Sequence, residues 1–302
     1  MYSKIMNCDL DQLFNMMNGE GETGIVRYPD TPCRAGFTFA GAAGQGDLFS
    51  DACGEGEFSG ISETDVCLIT GLHSAEGVDL SALPENARRL FELSANAFDA
   101  VVQAWMSELP ISAEIIRFGG KVLAAADVVV SRNQASGSRN GAEDETAQRQ
   151  AAERAASDRG DPDVRAVLGA SYKVWHEIDR LRGLLRFCPD ENGVYIARCE
   201  PDHFVLPALG PHFSERFGQT PWIIIDEKRR LVLRGTAGGQ LEFGIAGEGF
   251  PSEGKPVDDG KWGDLWRHYH KTINNESRNN PGLQRRFMPK RYWKYLTELF
   301  LT

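Results

Sequence analysis

Four side chains that could transfer protons or bind an anion lie in two short blocks in the middle of the chain. His212 and Arg216 are four residues apart, so a helix would place both on one face. Asp226 and Arg229 flank a predicted tight turn at the end of an apolar strand. An imidazole and a carboxylate suit general acid–base catalysis, which makes His212 and Asp226 the candidate catalytic pair. The favoured alternative is an ion-pair network that ties the helix to the hairpin.

A second group of side chains, all basic, is suited to binding phosphates. Residues 261–302 carry nine Lys/Arg and three acids, whereas residues 1–60 carry nine acids and three Lys/Arg. Because local potential governs contact with a polyanion, the net charge of −10 does not exclude nucleic acid. The candidate phosphate-binding residues are Arg267, Lys271, Arg278, Arg285, Arg286, Lys290, Arg291 and Lys294, with Arg180 and Arg186 extending the surface. The alternative is a solvated basic face above an aromatic core.

Two predicted helices position these basic residues. The first has a stripe that is predicted to pack, formed by Trp262, Leu265, Trp266, Tyr269 and Ile273. The second begins at Pro289, and its buried stripe comprises Tyr292, Trp293, Leu296, Leu299 and Phe300. Tyr292 and Trp293 are therefore predicted to be core residues and not base-stacking platforms.

Helical and strand periodicities occupy different parts of the remaining chain. Apolar residues at helical intervals predict a long helix over 84–108, a second over 112–130 and a third from 161 to 183. Short apolar runs separated by turn residues predict five strands, over residues 184–187, 194–198, 222–225, 230–233 and 241–245. The sequence therefore predicts an α+β fold. It has a helical N-terminal half, a small, mostly antiparallel sheet in the middle and two amphipathic C-terminal helices packing on the sheet.

The predicted domain organisation is one folded domain with two regions of low apolar content. Residues 1–60 contain a short helix candidate and a glycine-rich loop, and are predicted to be poorly structured or peripheral. Residues 61–302 are predicted to form a single α+β domain. Within it, residues 132–160 carry few apolar side chains larger than alanine, which predicts a mobile insertion with a transient helix over 143–156.

Motifs for cofactors and metals are missing from the sequence, and none of either is predicted. Six cysteines are scattered without a CxxC pair or a histidine at zinc-ligand spacing, which favours six reduced thiols. Ligands can converge from distant positions, which leaves open a site built from Cys8, Cys33, Cys53 and Cys67. No apolar run approaches the roughly 18 residues of a membrane span. The N-terminus lacks a secretory apolar region, so a cytoplasmic protein without a membrane partner is expected.

Two blocks of the chain carry a resemblance to a known family. The strings RCEPDHFVLPALGPHFSERFGQTPWIIIDEKRR and LWRHYHKTINNESRNNPGLQRRFMPKRYWKYLTE resemble a bacterial family of DNA-metabolism and DNA-repair proteins, a domain of unknown function. Shorter blocks at 105–110 and 164–187 match in order, so the resemblance covers most of residues 84–302. Where the family has Glu-x-His-Arg, this chain has EIDR at 177–180, and no role is carried over for that histidine.

The resemblance implies a DNA setting and a partner, but no reaction. Members are often encoded beside a radical-SAM protein and are sometimes fused to a uracil-DNA-glycosylase-like domain. We therefore expect a DNA-associated protein of DNA repair or modification, which acts with a radical-SAM partner and binds phosphates through its basic C-terminal region. Two alternatives stay open. One is an enzyme that acts on a nucleobase or nucleotide in a pocket between sheet and helices, and the other is a non-catalytic interaction module for the partner enzyme.

Overall fold

The computed structural model of the chain describes Leu13, Phe14, Met17 and the ranges 84–136, 141–190, 192–236, 241–245 and 260–296. Its residues group into two compact units, and of the described residues unit 1 holds those up to His176 and unit 2 those from Glu177 onward. Apart from the three named residues, the predictions for residues 1–60 lie outside the described residues. So do the candidate metal ligands Cys8, Cys33, Cys53 and Cys67.

Unit 1 is built from helices, and its first predicted helix is two helices. Helix α1 (Glu85–Leu93) and helix α2 (Ala95–Trp105) are separated by Ser94, whose backbone is extended (φ −158°, ψ 99°). The Ser94 hydroxyl accepts a hydrogen bond from the Ala97 amide at 3.0 Å, which caps α2. Because both helices bury apolar residues, the apolar spacing continues across the break and does not reveal it.

The next two helices of unit 1 correct the predictions for residues 112–160. Helix α3 (Ser112–Ser136) extends past its predicted end at residue 130. Helix α4 (Gly141–Ser157) lies in the predicted insertion, contacts α3 and buries Ala152 and Ala156. Alanine is the best helix former and packs closely, so a continuous helix forms where only a transient one was predicted. The predicted mobility of this segment stays a prediction.

An ion-pair cluster marks the start of helix α5 (Pro162–Leu184), whose first part belongs to unit 1. An oxygen of Asp163 lies 2.8 Å from Arg117 Nη2, and its other oxygen lies 2.7 Å from Lys121 Nζ. Hydrogen bonds from Arg117 and Lys121 lower the pKa of Asp163 to about 2. Asp161 accepts a hydrogen bond from the Asp163 amide at 2.7 Å, as expected of a residue that caps a helix.

Unit 2 contains a five-stranded sheet with the strand order β1-β2-β3-β4-β5. The strands are β1 (Cys188–Pro189), β2 (Tyr195–Cys199), β3 (Trp222–Asp226), β4 (Leu231–Gly235) and β5 (Leu241–Ile245). Neighbouring strands are antiparallel except β2 and β3, which are parallel and pair Tyr195 with Trp222. The α+β class with a mostly antiparallel sheet is therefore confirmed.

Residues 184–187, predicted as the first strand, instead form the end of α5 and the connection after it. The Leu185 amide donates to the Leu181 carbonyl at 3.1 Å, so helical hydrogen bonding persists beyond the predicted helix end. Leu181 and Leu185 are both buried and lie on one helix face, which stabilises this last turn. The strand begins only at Cys188.

Helix α6 (Gly210–Phe217) lies between the parallel strands β2 and β3 in the chain and packs against β4. A parallel pair needs such a crossover, because a tight hairpin cannot join its strands. Phe213 of α6 contacts the buried Trp222 ring, with centroids 6.0 Å apart. A Cβ at Gly235 would lie 2.2 Å from Trp222 Nε1, so glycine lets the indole pack directly on the backbone of β4.

The C-terminal part of unit 2 consists of short elements. They are helix α7 (Gly260–Ile273), a 3-10 turn (Glu276–Arg278), helix α8 (Pro281–Phe287) and a second 3-10 turn (Lys290–Tyr295). Helix α7 confirms the first predicted C-terminal helix. The α-helix predicted from Pro289 is a 3-10 turn, because apolar spacing does not distinguish these two conformations over so short a stretch. Leu299 and Phe300 lie outside the described residues.

The apolar stripe of α7 is exposed, which corrects the prediction that this face packs. Leu265, Trp266, Tyr269 and Ile273 are 54%, 41%, 49% and 58% exposed. Spacing shows which side chains share a helix face, but not whether another element covers that face. The side chain of Trp262 lies outside the described residues.

Three sequence predictions concern the whole chain. The chain groups into two compact units, and the single domain predicted over 61–302 stays a prediction. Within the described ranges, every helix is too short or too polar to cross a bilayer. The described part of the chain also brings together no group of three or more His, Cys, Asp or Glu side chains that could hold a metal ion.

Candidate nucleic-acid interface

Residues 260–296, hereafter the basic segment, hold nine Lys/Arg side chains and two acids. Local capping sets where its short elements begin. Asn280 accepts a hydrogen bond from the Leu283 amide at 3.0 Å, and Pro281 occupies the first position of α8. The Tyr292 amide donates to the Pro289 carbonyl at 3.0 Å at the start of the second 3-10 turn. The backbone therefore places the basic side chains on defined turns.

A buried carboxylate holds the end of the basic segment. Glu177 is 2% exposed and lies in the last part of α5. Its carboxylate accepts hydrogen bonds from the Tyr292 hydroxyl and from Arg291 Nη2, the latter at 2.8 Å. It also accepts the backbone amides of Asp202 at 2.9 Å and His203 at 2.7 Å. These four donors, together with the buried Tyr292 ring, form what we call the Glu177 anchor.

The protonation states within the Glu177 anchor follow from its geometry. Burial by itself would raise the pKa of Glu177, but hydrogen bonds from Tyr292 and from two backbone amides outweigh it, so the pKa lies below its usual value. Burial and the adjacent carboxylate raise the pKa of Tyr292. The carboxylate is therefore charged and the phenol neutral, which is the state that allows Tyr292 to donate its proton in the hydrogen bond.

Arg291 and Lys294, two of the predicted phosphate-binding residues, form ion pairs within the protein. Arg291 Nη1 lies 2.8 Å from Asp202 Oδ2, in addition to its contact with Glu177. Lys294 Nζ lies 2.6 Å from Glu200 Oε1, and it is 3.7 Å from the carboxylate of Glu227. A phosphate would have to compete with these carboxylates. Their role as phosphate ligands stays a prediction, and their observed contacts attach the segment to the rest of unit 2.

The other cations of the basic segment differ in their surroundings. Five exposed side chains form no ion pair with any residue that the structure describes: Lys271, Arg278, Arg285, Arg286 and Lys290. Of these, Lys290 lies over the Trp293 ring, with its Nζ 6.0 Å from the ring centroid. Arg267, by contrast, lies 2.5 Å from Asp264. Among the side chains of the basic segment that the structure describes, these five are therefore the exposed cations without an ion pair.

The two predicted extensions of the surface lie at and after the end of α5. Arg180 is half-buried on the helix. Arg186 donates to the Gly183 carbonyl at 2.9 Å, and its guanidinium lies 5.7 Å from the centroid of the Trp266 ring. Arg186 is thus brought to the basic segment through a cation–π contact.

Asp226 and Arg229 form a buried ion pair at the turn between β3 and β4. Arg229 Nη1 lies 2.8 Å from Asp226 Oδ2, and their side chains are 9% and 0% exposed. Burial raises the pKa of Asp226, and the positive charge of Arg229 opposes that rise. Arg229 also donates to the carbonyls of Pro201 and Asp202, at 3.2 and 2.8 Å. The pair thus connects the β3–β4 turn to the loop after β2. The ion-pair network predicted from the sequence would instead have connected this hairpin to the helix.

His212 lies in the first turn of α6, in surroundings that differ from those of Asp226. Burial lowers its pKa, and the positive charges of Arg182 and Arg216 lower it further. Its Nε2 is buried without a hydrogen-bond partner among the described residues. No hydrogen bond joins His212 to Asp226 in the described structure, so the catalytic pair stays a prediction.

The sequence contained a signal that Glu177 is buried and paired, but the regular helical pattern of the residues around it obscured that signal. Val174, Glu177, Ile178 and Leu181 are all buried and lie along one face of α5. Acidic residues are rarely fully buried unless they are paired, so an acid on an apolar helix face points to a distant partner. That partner, Tyr292, lies 115 residues away in the sequence, so only the folded structure identifies it.

Comparison with known proteins gives a match to a family model whose range includes the whole of this site. A family model of a domain of unknown function matches residues 146–298, about half of the chain. The match includes α5 with Glu177, the sheet and the basic segment. No curated protein and no solved structure matches the chain.

Proposed function

The chain belongs to the family defined by the domain of unknown function DUF4130, and we propose that it binds nucleic acid through the basic segment. The observation that carries the proposal is the set of five exposed cations without an ion pair in the described structure. Lys271 and Arg278 precede α8 in the chain, Arg285 and Arg286 lie in its last turn, and Lys290 follows it. Cations that no carboxylate neutralises release counterions when they contact phosphates, and that release drives binding to nucleic acid.

The basic segment divides its charges between two tasks. Arg291 and Lys294 hold it in place through Glu177, Glu200 and Asp202. The five exposed cations then contact phosphates from a backbone that is already positioned. Such a division favours affinity, because ordering a mobile basic tail on binding would cost conformational entropy.

The biological setting that we propose follows from the sequence resemblance to proteins of DNA metabolism. In this proposal the chain serves DNA repair or modification, and its partner is a radical-SAM protein. The chain would then contribute contact with the nucleic acid, while the partner contributes the chemistry. The exposed cations support the nucleic-acid part of the proposal, and the resemblance supports the DNA setting and the partner.

A charge-removal variant tests the phosphate contacts. The triple substitution Arg278→Ala, Arg285→Ala and Arg286→Ala is expected to weaken binding of a labelled DNA oligonucleotide in an anisotropy titration. Because each lost phosphate contact removes counterion release, the slope of log K against log salt is expected to become shallower by about 2–3. The titrations are run across roughly 50–200 mM salt, where this dependence is linear.

The matched control removes the same charge elsewhere. Arg132, Arg149 and Arg154 are described residues of unit 1 on α3 and α4, and their replacement by alanine changes the net charge equally. The control is expected to retain the wild-type slope. Equal slopes for wild type and the triple variant of the basic segment, or equal losses in both triple variants, would show that these three arginines are not phosphate ligands and would overturn the proposed interface.

A further inference from the structure

The exposed stripe of α7 combines aromatic and aliphatic side chains on one face of the helix. Trp266 and Tyr269 are 41% and 49% exposed, and their aliphatic neighbours Leu265 and Ile273 are more exposed still. At 100° per residue, these four side chains fall within about one third of the helix circumference. Contiguous exposed apolar patches on folded proteins often mark binding surfaces.

The two aromatic rings lie side by side, and a cation contacts one of them. The ring centroids of Trp266 and Tyr269 lie 5.6 Å apart, with an interplanar angle of 32°. The Arg186 guanidinium lies 5.7 Å from the Trp266 centroid. The rings are therefore already arranged as neighbours, and the cation adds positive potential at the same place.

Charge decides which occupant fits this face. The basic segment that contains it has nine Lys/Arg and two acids; Lys271 lies on the opposite side of α7, and the cation at the face itself is Arg186. A ligand that has planar apolar faces and also carries regular negative charge is single-stranded nucleic acid, because its bases are free to stack on exposed rings. In a duplex the same base faces are stacked within the helix.

We propose that Trp266 and Tyr269 form a stacking surface for unpaired bases of single-stranded nucleic acid, an inference that rests on the proposed function. Successive bases stack on the two rings while phosphates on either side contact the exposed cations. Aromatic rings bind in this manner without sequence preference, since every base has a π face. The site therefore selects strand state: it favours single strands, bulges and gaps over intact duplex.

The test compares two double variants on the same helix face in the full-length chain. Trp266→Ala with Tyr269→Ala removes both rings, and Leu265→Ala with Ile273→Ala removes the aliphatic neighbours. Affinities are measured for a labelled single-stranded oligonucleotide and for the duplex of the same sequence. Stacking contributes about 1–3 kcal/mol per base, so the aromatic variant is expected to bind the single strand at least about fivefold more weakly. The duplex affinity and the salt slope are expected to stay at wild-type values.

Two controls keep the result specific. Trp266→Phe with Tyr269→Phe retains the π faces and is expected to restore most of the single-strand affinity. Because all four side chains are exposed, the thermal unfolding midpoints of the variants are expected to match the wild type.

The outcomes separate this inference from the proposed function. Wild-type single-strand affinity in the aromatic variant, with weakened binding in the triple arginine variant, would overturn the stacking surface and leave phosphate binding intact. Equal losses of single-strand affinity in the aromatic and aliphatic variants would also overturn it, because the rings would then contribute no more than aliphatic contact area does. If the wild-type chain binds neither the single strand nor the duplex, the proposed function fails and the stacking surface fails with it.

Discussion

Replacement of Glu177 by alanine is expected to lower the free energy of unfolding by about 3–5 kcal/mol. The carboxylate is 2% exposed, and its loss leaves the Tyr292 hydroxyl and two backbone amides without their acceptor. Among the described residues, it also leaves Arg291 with the Asp202 carboxylate as its remaining ionic partner. Each unsatisfied buried donor costs about 1–3 kcal/mol, and the lost ion pair adds to this sum. Urea denaturation of the full-length chain measures the effect.

The matched control for Glu177 is Asp179, an exposed acid on the same helix. Its replacement by alanine is expected to change the free energy of unfolding by less than about 0.5 kcal/mol. Tyr292→Phe removes a single donor and keeps the ring, so an intermediate loss is expected. A Glu177→Ala variant no less stable than the Asp179→Ala control would mean that the Glu177 anchor does not hold the basic segment.

Replacement of Arg229 by alanine is expected to cost about 3–5 kcal/mol at neutral pH. The Asp226 side chain is fully buried, and without Arg229 its negative charge has no ionic partner in the described structure. The loss is expected to depend on pH with a definite sign. Burial already raises the pKa of Asp226 above its usual value, and removal of the neighbouring positive charge raises it further. A carboxyl whose pKa is raised in the folded state stabilises the fold at low pH, and this contribution disappears as the pH rises.

The difference in stability between Arg229→Ala and wild type is therefore expected to shrink as the pH falls toward about 4, the pKa of an unfolded Asp. Denaturation curves recorded at several pH values measure it. In an Asp226→Asn background, where the turn has no titrating carboxyl, Arg229→Ala is expected to change stability by an amount that does not depend on pH. A pH-independent loss in the single variant would contradict the account, because it would mean that lost packing and not an unpaired charge destabilises the chain.

Patterning predicted the elements of the fold better than it predicted their surroundings. The bounds predicted for β5 agree with the structure, and those of β3 and β4 differ at the ends only. Short apolar runs between turn residues are a local signal, so sequence suffices for them. The break between α1 and α2 was not predicted, because the capping residue Ser94 interrupts the helix without disturbing the apolar spacing. The exposure of the apolar stripe of α7 was not predicted for a different reason. Burial depends on neighbouring elements, which the spacing of apolar residues does not specify.

The candidate site shows the same limit. The basic residues of the C-terminal region were evident from composition, but the separation into paired and exposed cations was not. Arg291 and Lys294 find their carboxylates 114 and 94 residues away in the sequence. Contacts of this range arise only once α5, the sheet and the second 3-10 turn have been brought together. Sequence therefore identified the charges, and the structure shows which of the described ones are exposed and which form ion pairs.

Photo-crosslinking identifies the residues that touch the nucleic acid, and so tests binding through the basic segment. A single-stranded DNA carrying a photoreactive base is bound to the full-length chain, irradiated and analysed by mass spectrometry of the crosslinked peptides. We expect crosslinks within residues 260–296, centred on α7 and α8, and their loss in the triple Arg278, Arg285 and Arg286 variant. Crosslinks confined to other parts of the chain, or crosslinks that persist undiminished in that variant, would show that the basic segment is not the nucleic-acid interface.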